Sequence, residues 1–481
     1  DYTKSTTRNA PYYMSVVNGE TGEEMDVCEL NYSQAQDGVD AYSRDNRADY
    51  MNDNDGKEYA FMAGHNIVTY DDGQHPMIMS ECLVRRVADR AHHNYVFGFT
   101  YDWNNGVPTN WHHCYTWSRN DKTPWPAEFH QLRAADVDGD GRDEMLQGGY
   151  GVNTYKGMVF SAGIGHGDRF RVSDLDPTHP GMETYAIQQS NLLGQLVYDA
   201  ATGKHLKEWY MASVGDVGRG ECMDLDSTHL GYEVYSTIPN SYDIKGNLVR
   251  SGSNPFPYEG IWWDGDLGRE KLGSAGGDGY STNAHVEKDW GGRLAELARE
   301  SGYANHTEWA NRAGFWGDIT GDWREEVVLM KQSNEHGATG IVGYTTDEYT
   351  PYSMYTLMQD PHYLLDCTSR GYYQSPNTSF YLGYNMKRPP LPGTMRADLR
   401  WSKGGSWDAS GSNFVSFDGK QSQAFQNGKT VLFDISGDNA QTIALTGNVE
   451  PAKTYFMVPK NHDYTIAGTG TIGGTGEVWK S

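Results

Sequence analysis

Cysteine is scarce in this 481-residue chain: Cys28, Cys82, Cys114, Cys222 and Cys367, widely spaced and with no Cys-x-x-Cys pair. At most two disulfides fit, so no disulfide framework builds the core, and no zinc-type spacing is present. Free buried thiols are expected. Basic residues are also few, 39 Lys and Arg against 64 Asp and Glu, for a net charge of −25. A nucleic-acid binder needs positive charge to meet phosphates, so that class is excluded. No run of 18 apolar residues exists, which leaves no membrane-spanning helix. The chain opens at Asp1-Tyr2-Thr3-Lys4 without Met, and reads as processed or truncated. Helical pattern is rare. Only Trp290–Ser301, around Leu294-Ala295-Glu296-Leu297-Ala298, has apolar residues at helical spacing, and it is expected as a helical loop insertion on one face of the fold.

What is abundant is aromatic residues and glycine: 33 Tyr, 14 Trp and 57 Gly. That mixture favours short strands joined by tight turns. Mean hydropathy is −0.71, low for so long a chain, and thin sheets with much turn surface account for it.

A short pattern recurs: strand, Asp-apolar-Asp, turn, acid, second strand. It begins at Asp136-Val137-Asp138-Gly139-Asp140-Gly141 and closes on Asp143-Glu144-Met145-Leu146. Copies follow at Asp174-Leu175-Asp176, Asp224-Leu225-Asp226 and Asp318-Ile319-Thr320-Gly321-Asp322, each with an acid downstream (Glu183, Glu233, Glu325-Glu326). Their first acids lie 38, 50 and 94 residues apart, the last gap being near two repeats. A degenerate copy stands at Tyr70-Asp71-Asp72-Gly73. Interleaved with these are glycine-turn hairpins at Asn18–Gly22, Asp102–Gly106, Asp199–Gly203, Asp243–Gly246 and Trp263-Asp264-Gly265. Two hairpins per ~40–50 residues describe a four-stranded propeller blade rather than an irregular sandwich. The fold expected is therefore all-β, a propeller over residues 1–388. A small accessory β module is expected over 389–481, after the break at Pro389-Pro390-Leu391-Pro392-Gly393.

Carboxylates as close as Asp136, Asp138, Asp140 and Glu144 repel unless a cation lies among them. Ca²⁺, which accepts six to eight oxygens, suits such loops. For Asp174, Asp176, Asp224, Asp226, Asp318 and Asp322 the acids are fewer. A calcium site and an Asx-turn, with the Asp accepting backbone N–H groups, both fit those copies.

Several runs together resemble the rhamnogalacturonan lyases of polysaccharide lyase family 11. They are Tyr12–Gly19, Gly165-His166-Gly167-Asp168-Arg169-Phe170-Arg171, Asp216-Val217-Gly218-Arg219-Gly220, Gly321-Asp322-Trp323-Arg324-Glu325-Glu326, Tyr355–Met358 and Ser379–Gly383. The likeness covers residues 10–386 in the family's order. It implies an eight-bladed calcium-binding propeller, of which this chain holds most blades, with an N-terminal fragment completing it. It further implies a bacterial protein that is secreted, periplasmic or on the cell surface. The implied activity is β-elimination on an acidic polysaccharide, the rhamnose–galacturonate backbone of pectin. Carried over by motif, Arg219 is a catalytic arginine, Tyr372 a site tyrosine that can protonate the leaving oxygen, and His166 and Asp168 are metal ligands.

The chain departs from the family where the chemistry should be. The family's base lysine falls in the stretch Asn305-His306-Thr307-Glu308, and Gln188-Gln189 replaces a His-Glu pair. His306 is the candidate base in its place. Asn305, His130 and Arg312 are the candidate substrate-binding residues. Three readings stand: a calcium-assisted lyase, a non-catalytic glycan-binding propeller that has lost its base, and a hydrolase using a carboxylate pair such as Glu308 with Asp318.

Overall fold

The computed structural model describes residues 13–29, 58–61, 66–71, 75–86, 92–104, 107–121, 129–274, 284–288, 292–297, 315–333, 337–352, 354–368, 375–386, 397–416, 421–434, 441–458 and 463–480. The fold is an all-β propeller, with six blade sheets among the described residues, preceded by the hairpin Tyr13–Val17/Glu24–Glu29. Blade A pairs Glu58–Phe61 and Asn66–Thr69 with Met77–Arg86, then His92–Asn104 and Val107–Asp121. Blade B runs Arg133–Ala135, Glu144–Leu146, Tyr150–Asn153, Gly157–Ser161, and blade C runs Phe170–Ser173, Glu183–Ile187, Gln189–Asp199, His205–Asp216. Blade D is Gly220–Met223, Glu233–Ser236, Ser241–Asp243, Leu248–Arg250, and blade E is Glu259–Ile261, Glu270–Ser274, Ala284–Glu287, Arg293–Glu296. Blade F has three described strands, Phe315–Gly317, Glu326–Ser333 and Gly337–Tyr344.

The chain divides into two compact units that alternate along it: Asp1–Cys222, Glu233–Pro257 and Leu365–Ser379, then Met223–Tyr232, Tyr258–Leu364 and Phe380–Ser481. In the first unit, burial grades across the blades. Phe170–Ser173 is wholly buried, whereas His205–Asp216 alternates with solvent. Leu146, Phe160, Phe170, Val172, Leu196 and Tyr198 form one cluster, each such side chain contributing about 1.5–3 kcal/mol on burial. The inner strands also bury charge. Arg171 grips Glu221 with two N–H groups at 2.6 and 2.5 Å, and Arg133 pairs with Asp366. Such forked pairs give orientation as well as attraction. In the second unit, Ile261, Trp263, Val286, Trp316 and Val327 form the corresponding cluster.

Two expectations are corrected. Residues 293–296, expected as helix, form the fourth strand of blade E, with Val286 opposite Ala295. Ala295 packs on the blade core and Leu297 is buried, so strand pairing overrides a short helical pattern. Among the described residues an α-helix spans Pro361–Thr368, opened by proline after Asp360. Trp263-Asp264-Gly265 is not an outer hairpin. It links the first and second strands of blade E, the position held by the Asp loops elsewhere. Asp264 divides the 94-residue gap into 40 and 54. Cys222 and Cys367 are buried, as expected.

From Leu399 on, the strands form two sheets of their own. Leu399–Trp401, Thr430–Asp434, Lys453–Met457 and Glu477–Lys480 lie side by side in parallel, as do Gly405–Trp407, Thr442–Leu445 and Thr465–Gly468. Thr430 pairs with Lys453 and Thr442 with Thr465, a 23-residue coil. This is a solenoid, each coil resting on the one before. Phe433 stacks on Phe456 at 4.9 Å above a floor of Trp401, Trp407 and Phe414. Coils pass closely at Gly468 and Gly470, where a Cβ would lie 2.1 and 2.2 Å from the oxygens of Leu445 and Gly447.

Candidate functional site

Within the first unit, three segments far apart in sequence meet. Phe129 forms a bridge to Gly167, and its ring lies where a Cβ on Gly148 or Gly167 would stand. A side chain at 167 would also collide with the Ile187 carbonyl at 1.9 Å. Glycine there lets the His166–Asp168 turn close down on the Phe129–His130 segment. The His130 and His166 rings pack edge to face, centroids 5.2 Å apart. Asp168 Oδ1 lies 3.4 Å from His130 Nε2 and 3.8 Å from His166 Nε2. Gly218, with φ of 63°, turns the chain so that Arg219 reaches back, and its Nη1 donates to Asp168 Oδ2 at 2.9 Å.

The electrostatics follow the geometry. Burial pushes the Asp168 carboxyl up, but the His130 hydrogen bond and the charges of His130, Arg219 and His166 outweigh it and hold it below the usual range. Burial, then the Asp168 charge, pushes neighbouring Asp216 up. Gln188 and Gln189 frame the cluster. Gln188 is buried, its Oε1 accepting from Gly165 N and its Nε2 donating to the Leu193 carbonyl, so it braces the turn carrying His166. Gln189 donates through Nε2 to Asp216 at 3.0 Å.

Among the described residues, three groups of His, Asp or Glu place one ligand atom each within 4.8 Å of the others. The first is His130, His166 and Asp168. The others are loops: Asp136, Asp138 and Glu144 in blade B, and Asp264, Asp266 and Glu270 in blade E. The loops share a plan that spacing did not reveal. The first residue of the second strand is a buried glutamate whose carboxylate accepts loop amides: Val137 N on Glu144, Leu175 N and Asp176 N on Glu183, Trp263 N on Glu270, Ile319 N and Thr320 N on Glu326. In blade B, Asp136 accepts from Asp140 N and Gly141 N, Asp140 from Arg142 N, and Lys156 Nζ lies 2.5 Å from Asp138 and 3.0 Å from Asp140.

Other loops close on themselves. Asp176 and Asp226 accept from Thr178 and Thr228 as Asx-turns. Asp174 lies near Glu183 and raises its carboxyl, which burial above all pushes up to about 7. Asp224 is buried, accepts from Tyr381 Oη and Tyr384 N, and is pushed up to about 8, by burial first. A Cβ on Gly383 would lie 2.0 Å from its Oδ2, which explains that glycine. Asp318 is buried and accepts from Gly321 N and Leu357 N, while Asp322 pairs with Arg324 at 2.5 Å. Tyr372, His306, Asn305 and Arg312 lie outside the described residues, as does Glu308.

The fold and these residues define a class: a propeller with acid-lined loops and, among the described residues, a histidine–aspartate–arginine cluster. Residues 1–392 match the model of rhamnogalacturonan lyase family 11, C-terminal domain, and the chain belongs to that family. It is 32% identical to the rhamnogalacturonan exolyase YesX of Bacillus subtilis (strain 168) and 33% to the endolyase YesW of the same organism. Each match covers 80% of this chain and 60% and 57% of the relative, so the chain spans about three fifths of their length. Among solved structures, YesW matches with TM-score 0.59 at 31% identity, covering 80% of this chain and 60% of that one. The Bacillus licheniformis rhamnogalacturonan lyase matches with TM-score 0.59 at 29% identity, over 81% and 62%.

Proposed function

We propose that this chain carries the site of a polysaccharide lyase acting by β-elimination on a rhamnose- and uronate-containing polymer such as rhamnogalacturonan I, with calcium, outside the cytoplasm. The observation that carries the reading is the meeting of Arg219 with Asp168 beside His130 and His166. β-Elimination removes the C5 proton of a uronate, forms the C4–C5 double bond and breaks the C4–O bond, whose oxygen takes a proton. The carbanion adds negative charge beside the uronate carboxylate, so that carboxylate must be neutralised.

Arg219 suits that task. It is partly exposed and fixed through Nη1 to Asp168 and the Gly218 carbonyl, so its guanidinium is positioned before substrate arrives. Two imidazole nitrogens and one carboxylate also fit a divalent cation, and His130, His166 and Asp168 would hold it. Such an ion supplies Lewis-acid polarisation of a carboxylate. For calcium, which prefers oxygen, the fit is better at Asp136, Asp138 and Glu144, where all donors are carboxylates. His306 as base and Tyr372 as acid complete the proposal.

The test is near-ultraviolet absorbance of unsaturated uronate during incubation with rhamnogalacturonan I and calcium. Growth that falls about 10²–10³-fold in Arg219→Ala supports the lyase. A second reading, a glycan-binding propeller, draws on Gln188 and Gln189, neither of which can ionise. Retention of the polymer with a flat trace would replace the lyase with that reading.

A further inference from the structure

In blade E the place of a loop cation is already filled. Lys288 follows the third strand, in the turn leading to the fourth, and its Nζ lies 2.7 Å from Asp264 Oδ2, bonds Asp266 Oδ2 and sits 3.8 Å from Glu270 Oε1. These are the three acids whose ligand atoms converge. The Glu270 side chain is fully buried. Its Oε2 accepts from Trp263 N, but its Oε1 has no hydrogen bond and faces the cluster. A buried carboxylate oxygen left in this way is costly unless a positive charge stands near it. Lys288 is half-buried and its own backbone N–H donates to the Gly292 carbonyl, so the backbone that delivers the charge is itself hydrogen-bonded.

Blade B repeats the placement. Lys156 also stands between third and fourth strands and also reaches back over the Asp loop. There it touches Asp138 and Asp140, the acids at the rim of the loop.

We infer that Lys288 is a tethered counter-ion that replaces a divalent cation in the blade E loop, and that removing it uncovers a latent calcium site formed by Asp264, Asp266 and Glu270. The inference concerns blade E alone and does not depend on the lyase reading. A primary ammonium offers one charge and three N–H donors; Asp264 and Asp266 accept from it, and its charge stands 3.8 Å from Glu270 Oε1. With the side chain shortened or neutral, three carboxylates of one sign would face each other, the donor set that oxygen-seeking Ca²⁺ accepts.

The experiment counts calcium bound per chain, by equilibrium dialysis and elemental analysis, for the parent, Lys288→Met, Lys288→Arg, Asp266→Asn and the double variant Lys288→Met/Asp266→Asn. The expected result is one more ion per chain in Lys288→Met than in the parent. Lys288→Arg, Asp266→Asn and the double variant are expected to match the parent. Equal counts in parent and Lys288→Met overturn the inference. So does one ion fewer in Asp266→Asn than in the parent, because that would place a metal in the parent loop. If Lys288→Met is too unstable for dialysis but still melts cooperatively without calcium, melting is compared instead. A larger calcium-induced rise in melting temperature than in the parent supports the inference, and an equal rise refutes it.

Discussion

Blade B and blade E solve one problem in two ways. Both put Asp-x-Asp between their first two strands, both anchor that loop on a buried glutamate, and both bring a lysine from the turn after the third strand. In blade B the loop has a third acid, Asp140, with Gly139 and Gly141 at positive φ, and its lysine pairs with the outer acids. In blade E the lysine is the less exposed of the two and meets all three acids. Glu144 is pushed up to about 7 and Glu270 to about 8, in both by burial first and then by neighbouring acids, and in Glu270 the lysine partly opposes the rise. The same strand geometry thus leaves the lysine at the rim of the acid loop in one blade and seats it among the acids in the other.

The largest effect that would test this contrast comes from removing the anchors. Glu270→Ala takes away the acceptor for Trp263 N and a buried partner of Lys288, and is expected to cost about 3 kcal/mol by urea unfolding. Glu144→Ala, measured with calcium removed, is expected to cost about 1–2 kcal/mol; equal losses would erase the distinction. Next, chelation is expected to lower the melting temperature of the parent. Asp138→Asn should abolish that response, whereas Asp266→Asn should leave it intact. The reverse pattern would exchange the roles of the two blades.

A smaller effect lies on the acid side of blade E. The His285 hydrogen bond, then Lys271, against the opposing effect of burial, holds Glu287 down to about 2. Its folded value is below its unfolded one, so on acidification the unfolded chain takes up the proton first. Its stabilisation is present above about pH 4.5 and is lost as pH falls towards 2. Glu287→Gln should flatten that limb of a melting-temperature profile; an unchanged limb would assign it to other carboxylates. The smallest effect is expected from Lys156→Met. With its side chain exposed at the rim, melting in calcium should not change measurably.

How much of this was legible in the sequence depended on what each pattern could distinguish. The Asp loops and glycine hairpins announced blades because acid spacing and turn chemistry are local. The blade E loop escaped because Trp263-Asp264-Gly265 carries the same Asp and Gly as an outer hairpin, and only the order of strands separates the two. The anchoring glutamates were visible as acids, but their buried amide contacts were not. The solenoid was hidden because alternating residues look alike in parallel and antiparallel pairs, although Thr442/Thr465 and Gly447/Gly470 carry the 23-residue period. The cluster of His130, His166, Asp168 and Arg219 has no local signal. Resemblance points to His166, Asp168 and Arg219 and an inner-strand edge to His130, and only close packing at Gly167 and the turn at Gly218 bring them together.

The C-terminal coils have a consequence of their own. Because Thr442 and Thr465 occupy the same step of successive turns, excising or copying 23 residues shifts no side chain from core to solvent. Each copy adds one strand spacing, about 4.8 Å, to the stack. This end of the chain can therefore be lengthened or shortened by whole coils while its cross-section stays the same.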